Sequence, residues 1–317
     1  MSFVFLFPGQ SSRYAEMIER ARAMAPQESA LVCEAASDAI GEDILARLDA
    51  SRPDVFETNT NVQLAVFLTS QIHLHALSRV GIVASRSLGL SLGEYGHLVH
   101  IGALDLGDAF RLLLERGRAY DAGPRGAMAS VFPICEADLD PLLSEARSRG
   151  RVEITGETSP TQLVVSGDEL ALKRLEELVD EAHPGSAFVW IERHVPMHAS
   201  FFRPAAELFR PALEAAPFAR PHLPYLPNVS ARYVSAPSHA ALVDSLYQHV
   251  FSRVLFRQSI EHVLEIERDP IFIEVGPRGV LTGLLRRFCP RPRYKTDGQG
   301  DPRATFVSLL EELEHAA

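Results

Sequence analysis

A glycine-flanked serine is the feature that most restricts how this chain can fold. The pentad GLSLG, residues 89–93, follows an apolar segment, 81–89, and precedes an amphipathic one, 92–100. A sharp turn from strand to helix leaves no room for side chains on either side of the serine, so glycine is needed at both positions. The pattern predicts a strand that ends at Gly89, a helix that begins near Leu92, and a serine raised between them.

Ser91 has two interpretations. It is a nucleophile if its hydroxyl stands at a helix N-terminus, where free N–H groups and the helix dipole favour developing negative charge. It is an ordinary helix cap if Glu94, in the run SLGE, completes a capping box with it. The pentad alone does not separate the two, because a short motif is only a hypothesis until its structural context is met.

Apolar runs and helical patterns alternate through the first and last parts of the chain. FVFLF (3–7) and PIFIEVGP (270–277) are continuous apolar runs, as expected of parallel strands buried on both faces. The segment 61–77 is apolar nearly all round, which predicts a buried helix. Further helices are predicted at 15–24, 30–40, 106–120, 200–215, 240–251, 257–266 and 279–287, and a strand and loop at 223–231.

The order of the predicted strands and helices changes between residues 126 and 193. Strands at 127–134, 151–155, 161–167 and 187–193 and helices at 136–147 and 169–181 follow one another in the order βαββαβ. This is the ferredoxin-like pattern. We therefore predict an α/β chain whose large lobe, with a parallel sheet, comprises 1–125 and 194–317, and whose small ferredoxin-like subdomain is inserted over 126–193.

Composition excludes several function classes. A net charge of −10 over 317 residues argues against nucleic-acid binding. No apolar run reaches the roughly 20 residues of a membrane helix, and the N-terminus lacks the basic region of a signal peptide. The scattered Cys33, Cys135 and Cys289 suggest free thiols and no metal site. These features predict a cytoplasmic protein with no membrane association.

Five collinear segments carry a resemblance to a known family. In this order and spacing they resemble the malonyl-CoA:acyl-carrier-protein transacylase family, which includes the acyltransferase domains of polyketide synthases. The resemblance extends from residue 3 to about residue 285 and implies an α/β-hydrolase-like large lobe with a ferredoxin-like insert. The segments are FLFPGQSSR (5–13), GLSLGEY (89–95), LLERGRAY (113–120), VPMHASFFRPAAELF (195–209) and FIEVGPRGVLTGL (272–284).

The resemblance implies ping-pong acyl transfer. A serine takes a malonyl-type acyl group from coenzyme A and passes it to the phosphopantetheine thiol of an acyl carrier protein, for fatty-acid or polyketide synthesis. Ser91 matches the nucleophile, and His198 matches the general base. An imidazole suits that role because it titrates near neutral pH. The family also implies a monomer, no metal and no permanently bound cofactor.

Three further positions match the family's binding groups. Gln10 and Leu92 match the two residues whose backbone N–H groups form the oxyanion hole, which stabilises charge that develops in the transition state. Arg116 matches the arginine that binds the free carboxylate of malonyl, since a guanidinium can hold a carboxylate through two parallel hydrogen bonds. The alternative is that Arg116 is an ordinary surface arginine, a role for which Arg118 is the other candidate.

Gln63 aligns with a family glutamine that lines the pocket of the carboxylate-binding arginine. Three other positions affect substrate choice or the oxyanion loop. Leu90 stands where most members carry histidine, and Met197 lies where polyketide members differ with the size of the extender unit. Ser11 replaces a glycine, which would disturb the loop if that position required positive φ. Leu255 replaces a polar residue near the base, so a backbone carbonyl is left to orient the histidine.

Two other functions remain as alternatives. The first is an acyl-ACP hydrolase of the same fold, which gives the acyl group to water. Arg116 argues against it, because editing relatives lack the carboxylate-binding arginine. The second is a non-catalytic scaffold that binds carrier protein, and retention of both Ser91 and His198 argues against that.

An acidic carrier protein requires a local basic surface, because the net charge of this chain would repel it. Arg278, Arg286 and Arg287 lie near the end of the resemblance and are candidates for docking. The alternative is that these arginines form an ordinary solvated face.

Overall fold

The computed structural model describes residues 2–316, and two sheets organise them. The strands are β1 (Ser2–Phe7), β2 (Arg86–Gly89), β3 (Ala127–Phe132), β4 (Val152–Ser159), β5 (Gln162–Gly167), β6 (Ala187–Glu192), β7 (Pro270–Glu274) and β8 (Arg293–Lys295). The helices are α1 (Met17–Met24), α2 (Pro26–Ile40), α3 (Ile44–Arg47), α4 (Asn59–Arg79), α5 (Gly93–His100), α6 (Leu106–Ala122), α7 (Glu136–Ala146), α8 (Glu169–Ala182), α9 (Arg203–Ala215), α10 (His239–His249), α11 (Phe256–Ile266), α12 (Val280–Leu285) and α13 (Pro302–Ala316). Single 3-10 turns lie at Gln10–Ser12, Arg147–Arg149 and Ser200–Phe202.

The large lobe is built on a parallel sheet of strand order β2-β1-β7-β8. Its central strand β1 is buried on both faces, which explains its continuous apolar sequence. Phe5 and Phe7 pack into the core on one face, with α4, α5 and α6, whereas Val4 and Leu6 pack on the other face against Leu281 of α12. Successive side chains thus serve opposite faces, as the strand geometry requires.

Polar residues begin the helices of this lobe at defined positions. The Thr58 hydroxyl accepts a hydrogen bond from the N–H of Asn61 (3.3 Å) at the start of α4. Asp105 and Ser238 cap α6 and α10 in the same way. Such side chains satisfy backbone donors that have no partner within the helix.

The second sheet is antiparallel, with strand order β4-β5-β3-β6, and it runs from Ala127 to Glu192. Its chain order βαββαβ and its strand order are those of a ferredoxin-like fold. Helices α7 and α8 cover one face and enclose a separate apolar core that includes Leu139, Val165 and Leu175. The predicted fold class, an α/β large lobe with a small ferredoxin-like insert, is confirmed.

One predicted strand is absent. The segment 223–231 forms only an isolated bridge between Tyr225 and Val234. Pro224 and Pro227 have no backbone N–H to donate to a neighbouring strand, so this stretch remains an irregular loop.

Neither β8 nor α13 was predicted from the sequence. β8 has only three residues at the sheet edge. In α13, Phe306, Leu309 and Leu313 are buried against the core of the large lobe, and their spacing of three and four residues is a helical signal. Within residues 2–316, no helix combines the length and apolar character that a membrane crossing requires.

Candidate active site

Ser91 lies on a sharp turn between β2 and α5. Its φ is +51°, a left-handed conformation that non-glycine residues rarely adopt outside strained sites. A Cβ on Gly89 would overlap the backbone of Gly93, and a Cβ on Gly93 would overlap the carbonyl of Phe7. Both glycines are therefore required sterically.

The hydroxyl of Ser91 does not cap the helix that follows. Leu92 occupies the N-cap position of α5, and no side chain accepts a hydrogen bond there. Glu94 is completely buried and bonds elsewhere. The capping-box interpretation of SLGE is therefore wrong, and the Ser91 hydroxyl is available for another partner.

That partner is His198. The distance from Ser91 Oγ to His198 Nε2 is 2.8 Å, and His198 Nδ1 lies 2.7 Å from the backbone carbonyl of His249. Because a carbonyl can only accept, Nδ1 carries the proton and Nε2 presents a lone pair to the serine hydroxyl. The backbone N–H of His198 also bonds to the carbonyl of Val250 (3.0 Å), which fixes the loop.

Burial holds the pKa of His198 well below its usual value of 6.5. The nearby His249 and Arg116 lower this pKa further, while the bond to the His249 carbonyl acts in the opposite direction. The side chain is therefore a neutral imidazole at neutral pH, which is the form that can accept a proton from a hydroxyl.

Two backbone donors flank the serine. The N–H groups of Gln10 and Leu92 make no hydrogen bond to any residue that the structure describes. Gln10 begins a 3-10 turn directly after β1, and its side-chain amide donates to Asn59 Oδ1 (3.2 Å). Ser11 does not adopt positive φ, so the loop accommodates a side chain at this position.

Arg116 is 1% exposed, and its surroundings are polar and aromatic. Its Nη1 donates to Gln63 Oε1 (2.7 Å), and the guanidinium lies over the rings of Tyr120 (4.2 Å) and Tyr95 (5.3 Å). Among the described residues, Arg116 Nε and Nη2 and Gln63 Nε2 have no partner. Buried donors without acceptors are costly, so this pair fits a ligand with acceptor oxygens.

Arg118, one residue beyond Gly117 on the same helix, differs from Arg116. It is exposed and pairs with Glu115 (2.6 Å) on the surface of α6. The surface role that the sequence left open for Arg116 thus belongs to Arg118, while Arg116 faces the interior.

The cleft at Ser91 runs between the two lobes and encloses about 90 Å³. Arg116 and Gln63 do not line it. Both side chains are buried, and the charge of Arg116 is near enough to lower the pKa of His198. Five of the predicted site residues line the cleft: Gln10, Leu90, Ser91, Met197 and His198. The small lobe contributes Met128, Thr155, Val164 and Ile191 to its walls.

The three candidate docking arginines occupy different environments. Arg278 lies over the ring of Tyr14 (5.8 Å). Arg287 lies over the ring of Phe132 in the small lobe (4.6 Å) and donates to Gln162 Oε1 (2.5 Å), so it spans the two lobes. Arg286 is exposed at the end of α12.

The sequence did not predict the roles of three residues at the site. Asn228 Oδ1 accepts from the backbone N–H of Ser91 (2.8 Å), and His249 supplies the carbonyl for the base. Glu94 contacts both of these residues. No local pattern marks Asn228 or His249, because they reach the site only through the tertiary fold.

Comparison with known proteins identifies the family of this chain. Residues 4–298 match the acyl transferase domain family. The malonyl CoA-acyl carrier protein transacylase of Bacillus subtilis (strain 168) is 29% identical over 98% of both chains. The crystal structure of the transacylase of the same name from Clostridium perfringens superposes with a TM-score of 0.88, at 26% identity over 100% of this chain and 98% of that one. A malonyl-transacylase in complex with a type II polyketide synthase acyl-carrier protein superposes with a TM-score of 0.87, at 25% identity over 98% of this chain and 100% of that one. The chain is therefore an acyltransferase and belongs to the acyl transferase family that contains the malonyl-CoA:acyl-carrier-protein transacylases.

Proposed function

We propose that this chain moves a malonyl-type acyl group from coenzyme A to the phosphopantetheine thiol of an acyl carrier protein, in fatty-acid or polyketide synthesis. The observation that carries the proposal is the Ser91–His198 hydrogen bond of 2.8 Å together with a buried arginine, Arg116, that has unpaired donors and is near enough to lower the pKa of His198. The first feature suits thioester chemistry, and the second suits an acyl group that ends in a carboxylate.

In the first half-reaction, Ser91 Oγ attacks the thioester carbonyl carbon of the acyl-CoA while His198 Nε2 takes the hydroxyl proton. The carbonyl oxygen becomes an oxyanion, which the free N–H groups of Gln10 and Leu92 stabilise. The carbon–sulfur bond then breaks, and His198 returns the proton to the departing thiolate of coenzyme A. An acyl ester on Ser91 remains.

In the second half-reaction, the thiol of the carrier's phosphopantetheine arm takes the place of coenzyme A. His198 accepts the thiol proton, the sulfur attacks the ester carbonyl carbon, and the proton passes to Ser91 Oγ as the ester bond breaks. Both thiols belong to substrates, so these steps use only the substrates and the chain's own residues.

Free thiols at Cys33, Cys135 and Cys289 fit a reducing compartment, and we place the reaction in the cytoplasm.

Substrate choice depends on residues behind and beside the nucleophile. Arg116 would bind the acyl carboxylate through its unpaired Nε and Nη2, with Gln63 holding the guanidinium in place. Leu90 and Met197 line the cleft next to Ser91, where they would contact the acyl chain. These residues favour a malonyl-type donor over an uncharged one.

The carrier protein would dock at arginines that surround α12. Arg278 and Arg286 are exposed, and Arg287 is exposed as well while it contacts the small lobe. Basic side chains here would attract an acidic carrier towards a chain whose overall charge is −10.

Intact-protein mass spectrometry after incubation with a panel of acyl-CoAs tests the proposal. We expect a malonyl adduct on the wild-type protein and none on Ser91→Ala. Arg116→Ala should lose roughly 100-fold in kcat/KM for malonyl-CoA, because hydrogen bonds to a charged group are removed, and should gain preference for uncharged acyl-CoAs. Arg118→Ala, exposed on the same helix, is the matched control and should behave as wild type.

A chase with carrier protein separates transfer from hydrolysis. The adduct should move to the carrier thiol. Rapid release of free malonate with no transfer to any carrier would favour the acyl-ACP hydrolase instead.

A further inference from the structure

A buried carboxylate lies behind the Ser91–His198 pair. Glu94, on the first turn of α5, has no exposed surface. Its Oε2 lies 3.0 Å from His249 Nδ1 and accepts from the backbone N–H of Asn228 (3.4 Å). Its Oε1 accepts from the hydroxyl of Tyr225. Both oxygens of this carboxylate therefore accept a hydrogen bond from a residue outside α5.

One arm of this network leads to the nucleophile. Asn228 Oδ1 accepts from the N–H of Ser91 (2.8 Å), and Asn228 Nδ2 donates to the carbonyl of Gly89 (2.8 Å). A single amide thus bridges the two sides of the turn that carries the serine. Because the backbone of Asn228 bonds to Glu94, the position of that amide depends on the carboxylate.

The other arm leads to the base. The carbonyl of His249 accepts from His198 Nδ1 (2.7 Å), and the His249 ring lies 5.0 Å from the His198 ring at an angle of 23°. His249 Nδ1 lies 3.0 Å from Glu94 Oε2, while its Nε2 has no partner among the described residues. We assign the Nδ1–H tautomer, which leaves only an acceptor unpaired.

We propose that Glu94 is a positioning residue that holds Ser91 and His198 in register, through Asn228 on one side and His249 on the other. The inference rests on the proposed roles of Ser91 and His198 as nucleophile and base. Both residues adopt positive φ, +51° and +65°, and such conformations persist only where the surroundings over-determine them. The carboxylate of Glu94 provides that constraint, because it contacts both Asn228 and His249.

Glu94 does not line the cleft, so its effect should appear in the rate of reaction and not in substrate affinity. In Glu94→Gln the side-chain amide would place an N–H group against one of the donors that now bond to the carboxylate. We expect kcat for malonyl transfer to fall ~100-fold, the loss that follows a misplacement of about 1 Å, with KM for malonyl-CoA within about 3-fold of wild type.

A fluorophosphonate provides a second readout that needs no acyl donor. Ser91 Oγ displaces fluoride from phosphorus while His198 takes the hydroxyl proton, so the rate of labelling reports how the pair is positioned. Labelling of Glu94→Gln should slow by the same ~100-fold. A wild-type protein that is labelled at Ser91 but accepts no acyl group from malonyl-CoA would refute the proposed function and leave this inference standing.

A matched pair at position 249 tests the network independently. His249→Gln keeps the backbone carbonyl and offers an amide N–H to Glu94, so labelling should remain within about 5-fold of wild type. His249→Leu keeps the carbonyl alone and should lose as much as Glu94→Gln, on the same argument from misplacement. Equal labelling rates in these two variants would overturn the proposal, even if Glu94→Gln does not fold.

Glu28→Gln is the control for loss of a buried carboxylate. Glu28 is buried in α2 and pairs with Arg79 (2.5 Å), outside the site. It should label and turn over as wild type. Wild-type labelling by a folded Glu94→Gln protein, or an equal loss in Glu28→Gln, would contradict a positioning role for Glu94.

Discussion

At the residue scale, the site depends on two side chains in unfavourable backbone conformations. Ser91 is held at φ +51° by glycines on both sides, and His198 is held at +65° by bonds from its ring and its N–H to the segment 249–250. The sequence identified both residues, one from the pentad and one from the family resemblance. From Leu255 the sequence predicted that a backbone carbonyl would orient the histidine, but not which one, because the carbonyl of His249 lies 51 positions away.

The pH dependence of acylation follows from the low pKa of His198. The reaction needs the neutral imidazole, and burial keeps the ring neutral to lower pH than usual. In kcat/KM for self-acylation, we therefore expect the acid limb to lie below pH 6.5, with no loss between pH 6.5 and neutrality. Stopped-flow acylation across the acidic range measures this, and a midpoint at or above 6.5 would contradict it.

At the element scale, parallel strands bring the parts of the site together. β1 and β2 pair in register, with Phe7 opposite Gly89, so the turn after each strand lies at the same edge of the sheet. Gln10 follows the first strand, and Ser91 follows the second. Apolar runs and a glycine-flanked serine were enough to predict the two strands, because strand and turn preferences are local. The place of Gln10 beside Ser91 was implied only by the family resemblance.

A second carboxylate links β7 to α12. Glu274 accepts from the N–H groups of Leu281 (3.0 Å) and Thr282 (2.7 Å) at the start of the helix. Burial raises its pKa to about 7, although these backbone donors lower it. The native state therefore binds more protons than the unfolded state between pH 4.5 and about 7.

This shift predicts a pH-dependent stability. The contribution of Glu274 to the free energy of unfolding is fully present below its ordinary pKa and is lost as the pH rises through about 7. Glu274→Gln removes the titration. Calorimetric Tm values for wild type should therefore fall relative to those of the variant as the pH rises over this window. Parallel Tm curves for the two proteins would show that the carboxyl does not titrate there.

At the scale of the whole molecule, the cleft exists because a small lobe is inserted into a large one. Met128, Thr155 and Val164 of the insert face Leu90 and Met197 across the cleft. Arg287 contacts the insert through Phe132 and Gln162. The proposed reaction would therefore take place at the junction of two separately packed cores.

We expect an acidic carrier protein to dock on the surface around Arg286 and Arg287. Arg286→Glu combined with Arg287→Glu should slow transfer to the carrier by ~10-fold or more at low salt, through the loss of electrostatic steering, and should leave self-acylation unchanged. Arg111→Glu with Arg118→Glu, the same charge change on the exposed side of α6, is the control. Equal slowing of both half-reactions, or of neither, would refute the docking surface.

The sequence by itself determined the fold class and, through the family resemblance, led to the proposal that Ser91 and His198 are the reacting pair. Hydrophobic period, glycine positions and motif order are properties of neighbouring residues or of their order along the chain, and they need no knowledge of packing. The sequence-based prediction of a strand in the proline-containing segment 223–231 was wrong, and the helix Pro302–Ala316 was not predicted. Only the tertiary structure decided that Asn228, 137 positions from Ser91, accepts from the Ser91 N–H and that the carbonyl of His249 bonds to the ring of His198. The physical reason is that a hydrogen bond between distant segments depends on how whole elements pack, and no local pattern encodes that.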